Sequence, residues 1–157
     1  MKNNRVILQI VVLFIVLFSV SCDKNVLYVE NQTLANSVWK KQDKLSFTAD
    51  IQDTINPINV YLSVRNKGDY SYSNLYLFLN TIFPNGQVSR DTMECFLADP
   101  KGKWLGSGIG DIKSVELLFI KNVRFVAKGK YTFEFQQAMR DDELKGIYEF
   151  GLKIEKP

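Results

Sequence analysis

Leu45-Ser46-Phe47-Thr48-Ala49-Asp50-Ile51 alternates without a break between apolar and polar side chains. Successive side chains of a strand point to opposite faces, so Leu45, Phe47, Ala49 and Ile51 form a face to bury, and Ser46, Thr48 and Asp50 a face for water. After a break at Asn56-Pro57, Val60, Leu62 and Val64 alternate with Tyr61, Ser63 and Arg65. The pattern returns in Tyr131, Phe133 and Phe135, and in Tyr148, Phe150, Leu152 and Ile154. Between these, Asn74 to Phe83 is apolar on both faces, which predicts a strand covered on both sides. Pro84-Asn85-Gly86 carries tight-turn chemistry and leads into a strand from Val88 to Leu97. Val115 to Phe125 has strand character with mixed facing, the mark of a bulge, and Gln137 to Lys145 has room for one helical turn.

That makes about seven strands in roughly 110 residues, with no segment long enough for the helical crossover of a parallel sheet. Aromatic residues make up 13 % of the chain and fall on alternating faces, which favours two packed antiparallel sheets. The expected fold is all-β: a single antiparallel β-sandwich of about seven to eight strands over residues 45–157, with a small β-barrel as the alternative.

Upstream, residues 1–21 read as a signal peptide. Lys2 and Arg5 give a basic start, Val6 to Phe18 is apolar except for Gln9, and Ser19-Val20-Ser21 supplies small residues before Cys22. Thirteen helical residues reach about 20 Å, short of the ~30 Å hydrocarbon core, so cleavage is favoured over a signal anchor extended through Val20. A cysteine directly after Ser21 resembles a lipoprotein acylation site, although the usual Leu three residues before it is here Ser19. The alternative is an ordinary cleaved signal that leaves Cys22 as a free thiol. If Cys22 is acylated, residues 22–44 form a lipid-anchored tether that becomes structured near Trp39. Each buried CH₂ contributes ~0.8 kcal/mol, so two or more acyl chains hold the chain firmly at a membrane.

Composition excludes several function classes. Lys and Arg total 20 against 17 acids, and loss of Lys2 and Arg5 leaves a net charge near +1. With no sustained basic patch, nucleic acid is not expected as a partner. The chain contains no histidine, which removes Ser-His-Asp and Cys-His catalysis and the commonest zinc sites. Cys95 alternates with Met93 and Leu97 and reads as a buried small apolar residue.

Gly106-Ser107-Gly108-Ile109-Gly110 superficially resembles a nucleotide loop, but its third glycine comes one residue early and a strand, not a helix, follows. A loop needing positive φ or close backbone packing beside Trp104 explains those glycines. Asp91, Glu94, Asp99, Asp111 and Glu116 are scattered, with no paired-carboxylate or calcium-loop spacing, and read as solvated loop charges. No cofactor or metal is expected. Candidate contact residues lie in two loops: Asp69, Tyr70, Tyr72 and Asn74 within Asn66–Asn74, and Trp104 within Lys101–Asp111. Aromatics beside polar groups suit recognition, and turn chemistry or a core plug explains the same residues.

Taken in order, several stretches carry a resemblance: Ser21-Cys22-Asp23, Trp39 before a charged turn, Ile51-Gln52-Asp53-Thr54, and Val64-Arg65-Asn66 through Asp69-Tyr70. Tyr72-Ser73-Asn74-Leu75, Phe83-Pro84-Asn85-Gly86, Gly102-Lys103-Trp104-Leu105-Gly106, Gln136-Gln137-Ala138-Met139-Arg140 and Gly151-Leu152-Lys153-Ile154-Glu155-Lys156 continue it. Together they resemble the gliding-motility lipoprotein GldH family of Bacteroidetes. The resemblance implies a lipid-anchored component of the gliding machinery, linked to surface-protein secretion. It implies no enzyme activity and no functional residue beyond an acylated Cys22. The expected partners are the membrane, through Cys22, and other envelope or gliding-machinery proteins. The expected place is the cell envelope at the outer membrane, with the periplasmic and external faces both open. A glycan-binding surface lipoprotein is the alternative, and exposed tryptophans would favour it.

Overall fold

The computed structural model describes residues 25–157, so the segment expected to be a signal peptide and Cys22 lie outside the described residues. Ten strands follow in chain order: β1 (Val26–Thr33), β2 (Val38–Lys40), β3 (Lys44–Ile51), β4 (Ile58–Lys67), β5 (Asn74–Ile82), β6 (Val88–Phe96), β7 (Ile112–Val123), β8 (Gly129–Gln137), β9 (Glu143–Lys145) and β10 (Ile147–Glu155). They form two antiparallel four-stranded sheets, ordered β1-β10-β4-β7 and β3-β8-β5-β6, with a short β2-β9 ribbon at one end. Neither sheet closes on itself, so the β-sandwich is the fold and the barrel is not.

The alternating residues build the core between the sheets. Phe47, Ala49 and Ile51 of β3, Leu62 and Val64 of β4, and Tyr131, Phe133 and Phe135 of β8 are all buried. Four rings meet at its centre, with Phe150 lying 5.3 Å from Trp39, 4.9 Å from Phe135 and 6.0 Å from Phe47 between centroids. Each such ring contributes roughly 1.5–3 kcal/mol relative to exposure. Gln137 continues the inward side of β8, fully buried. Its amide nitrogen donates to the Asp141 carbonyl at 2.7 Å, and its side-chain oxygen accepts from the Met139 amide at 2.8 Å.

The structure departs from the sequence expectations in three places. The tether expected over residues 22–44 is sheet for much of its described part. β1 pairs along its length with β10, and β2 sets Trp39 opposite Leu144 of β9. The helical turn expected within Gln137–Lys145 is replaced by a loop pinned by Gln137, followed by β9. β5 is covered on one side only. Leu75, Leu77 and Leu79 face the core, whereas Tyr76 and Phe78 are exposed, and Phe78 shares a shallow basin of about 410 Å³ with Arg90 and Gln136. The bulge expected in Val115–Phe125 is present, where β7 slips register against Val60 of β4.

The two long sides of the sandwich differ. At one, β1 and β3 are in contact, and the Gln32 amide donates to the Ser46 carbonyl at 2.9 Å. At the other, β6 and β7 stand apart over two clefts of about 260 and 280 Å³, the first lined by Phe83, Ile120, Val123 and Phe125, the second by Met93, Phe96, Leu105 and Leu117.

Candidate functional site

Antiparallel strands send the connecting loops to two opposite ends. The loops 68–73, 97–111 and 138–142 gather at one end, and the loops 52–57, 83–87 and 124–128 at the other, where β1 also begins. All five candidate contact residues lie at the first of these.

A single amide joins the two candidate loops. The Gly68 N–H donates to the Asp111 carbonyl at 2.8 Å and to its carboxylate at 3.1 Å. Tyr70 is turned inward, only 4 % exposed, and its hydroxyl donates to the Asn74 carbonyl at 2.8 Å. Burial pushes its phenol well above the ordinary range, with Tyr72, Asp141 and Cys95 nearby adding to the effect. Its ring lies 5.7 Å from that of Tyr72 and 6.4 Å from that of Trp104. Tyr72 is half-buried and donates to Asp141 Oδ2 at 2.9 Å, a bond that raises its own pKa. The Asn74 amide donates to Glu94 at 2.6 Å, and Asp69 is exposed. Tyr70, Tyr72 and Trp104 thus close the end of the core as one aromatic cap, and Tyr70 is not an exposed anchor.

The glycine loop does what close packing requires. A Cβ on Gly108 would collide with the Ile112 carbonyl, and Ser107 exchanges backbone bonds with Ser114 on the way into β7. Asp99 accepts the Lys101 and Lys103 amides at 2.8 and 2.9 Å, a side-chain turn that needs no ligand. The outward apolar residues here are ones that sequence reasoning missed: Ile109 at the loop tip is fully exposed, and Leu105 is 54 % exposed. The available signal was a branched apolar residue set between glycines, where no core face exists for it. Asp141, which anchors Tyr72, was also missed, because nothing local links two residues 69 positions apart.

The remaining carboxylates have structural partners. Glu116 accepts from Lys153 at 2.8 Å, and Asp91 from Ser89 at 3.3 Å. Among the described residues, no group of three or more acids or cysteines is placed to hold a metal ion. Cys95 is buried, as its alternation with Met93 and Leu97 predicts, and burial pushes its thiol up to about 11. Trp39 is fully enclosed, with its indole N–H donating to the Asp43 carbonyl at 3.0 Å, and presents no face to a sugar.

A family model described as GldH lipoprotein matches residues 26–154, from the first residue of β1 to the penultimate residue of β10. The chain belongs to the GldH lipoprotein family. The match spans both sheets, so the family's characteristic unit is the entire sandwich. A gliding motility lipoprotein GldH homolog of Christiangramia forsetii is 40 % identical over 149 residues, covering 90 % of each chain. Gliding motility lipoprotein GldH of Flavobacterium johnsoniae is 30 % identical over 162 residues, covering 99 % of this chain and 97 % of its own. A solved structure of infectious bursal disease virus covers 87 % of this chain and 42 % of its own at 12 % identity, with a TM-score of 0.21, which carries no argument.

Proposed function

We propose that this member of the GldH family is a non-enzymatic, lipid-anchored assembly component of the gliding-motility apparatus. In this reading it is held at the outer membrane through acylated Cys22 and serves the surface-protein secretion linked to that apparatus. The names of the two relatives support the lipoprotein and gliding assignments. The observation that carries the mechanism is the polarity of the sandwich. β1 begins at the end opposite the aromatic cap, and eight residues of strand separate the two by about 26 Å. An anchor at one end presents the other, with Asp69, Tyr72 and Trp104 backed by the exposed Leu105 and Ile109, outward from the membrane. The cap fixes these loops in place, so little ordering entropy is lost when a partner binds.

Pull-down from native envelope tests the reading. Wild type should recover gliding-machinery proteins, and Cys22→Ala should be released from the membrane fraction. Ile109→Asp, at a position where folding is indifferent, should stay in the membrane yet lose most partner recovery. Full recovery with Ile109→Asp and with Leu105→Asp would overturn the assignment of contact to these loops.

A further inference from the structure

The opposite end of the sandwich carries an apolar and basic surface that the reading above does not use. Ile55 and Val126 are 80 % and 83 % exposed, and each projects from a loop at this end. They belong to neighbouring loops: the Arg124 guanidinium donates through Nε to the Ile55 carbonyl at 2.9 Å. The second loop is held from beneath, since the Tyr131 hydroxyl donates to the Ala127 carbonyl at 2.9 Å and lies 3.2 Å from the Ala127 amide. The first loop is held by Asp53, which accepts the Ile55 and Asn56 amides at 3.0 and 3.1 Å.

Lys121, Arg124, Lys128, Lys130 and Lys156 lie at this end, against Asp50, Asp53 and Glu155. Lys156 faces Asp53 at 3.9 Å and Glu155 faces Lys153 at 3.3 Å, whereas Lys121, Lys128 and Lys130 make no ion pair among the described residues.

The position of the chain's start selects the occupant of this surface. Val26 pairs with Glu155, and Asn25 accepts the Lys156 amide at 2.9 Å, so the described chain begins at this same end. Three residues of chain span at most about 11 Å, which bounds the distance from Asn25 to Cys22. Three strand spacings, about 14 Å, separate β1 from β7. An acylated Cys22 therefore brings the lipid surface to the loops that carry Ile55 and Val126.

We propose that this end seats directly on an anionic bilayer, with Ile55 and Val126 entering the interface and Arg124, Lys128 and Lys130 at the headgroups. The inference rests on acylation of Cys22 and goes beyond it: the folded domain is not a body swinging on a tether but one held in a fixed orientation. Apolar insertion combined with basic residues is the pairing that interfacial binding requires.

The test uses the full lipidated protein in vesicles of phosphatidylethanolamine with phosphatidylglycerol, carrying Ile55→Cys, Val126→Cys or, at the far end, Ile109→Cys, each with an environment-sensitive dye. Buried Cys95 leaves the new thiol as the reactive one. Dye at 55 and 126 should shift to the blue, with its quenching by iodide reduced about threefold or more on vesicles, while dye at 109 stays water-exposed. Lys128→Glu with Lys130→Glu should weaken the shielding at 126. Equal exposure at all three positions in protein that still floats with the vesicles would overturn the seated orientation and leave the anchor intact. Protein that neither floats nor carries a lipid by mass spectrometry would overturn both.

Discussion

A methyl group placed on Gly146 would lie 2.9 Å from the Cα of Tyr70. That approach lets the Lys67 amide donate to the Gly146 carbonyl at 2.8 Å and seats the aromatic cap on the turn between β9 and β10.

Gly146→Ala should therefore destabilise the protein by about 2–4 kcal/mol, combining the clash with the cost of a side chain at φ +95. Gly86→Ala, at φ +82 but with nothing within 4 Å, should cost only about 1 kcal/mol. Urea denaturation of the two variants checks the difference, and equal losses would remove the close approach as the cause.

The tryptophans should separate in the same way. Trp39→Ala empties the centre of the core and orphans the Asp43 carbonyl, at a cost of about 3–5 kcal/mol. Trp104→Ala removes a half-buried ring resting on Tyr70 and should cost about half as much, with the loop loosened. Thermal melting gives the ranking, and a neutral Trp104→Ala would detach that residue from the cap.

Alkaline stability depends on Cys95. Its thiol is raised from 9.0 to about 11, chiefly by burial and secondarily by Glu94. The folded state thus holds this proton more tightly than the unfolded state. The associated stability, on the order of 2 kcal/mol, is complete below about pH 9 and is lost as pH rises through about 11. The raised phenol of Tyr70 acts in the same direction above pH 10. Cys95→Ala should lose about 1–2 kcal/mol at neutral pH and show a shallower decline between pH 9 and 11. Rapid thiol labelling of the native wild type would contradict the burial.

Mass spectrometry of the mature protein should find an N-terminal acylated Cys22 and no residues 1–21. An intact hydrophobic segment, or an unmodified thiol at that position, would remove the anchor on which both functional readings depend.

What was legible in the sequence follows what side-chain alternation encodes. Phe47, Leu62, Tyr131 and Phe150 each sit in a run of period two, because each strand buries one face, and all seven expected strands are present. β1 escaped that reading because it is an edge strand joined to β10 through its backbone, and Glu30-Asn31-Gln32 in its middle break any apolar rhythm. β2 and β9 are too short to show a period. The candidate loop residues could be named, but a contact role and a packing role were not separable. Tyrosine has an apolar body and a polar tip, which suits a contact surface and a capped core equally. For Tyr70 the choice was made by Asn74, Gly146 and Trp104, residues that only the folded chain brings around it.

β10, the last strand, occupies an interior place in its sheet, between β1 and β4. Until Ile147–Glu155 has left the ribosome, β1 has no neighbour in that sheet, and Phe150, the ring on which Trp39, Phe47 and Phe135 converge, is missing from the core. A chain that lacks this strand can pair β3-β8-β5-β6 and β4-β7, but it cannot join β1 to its sheet or close the core. The sandwich is therefore completed by the chain's last strand, and its core closes only once the final residues are present.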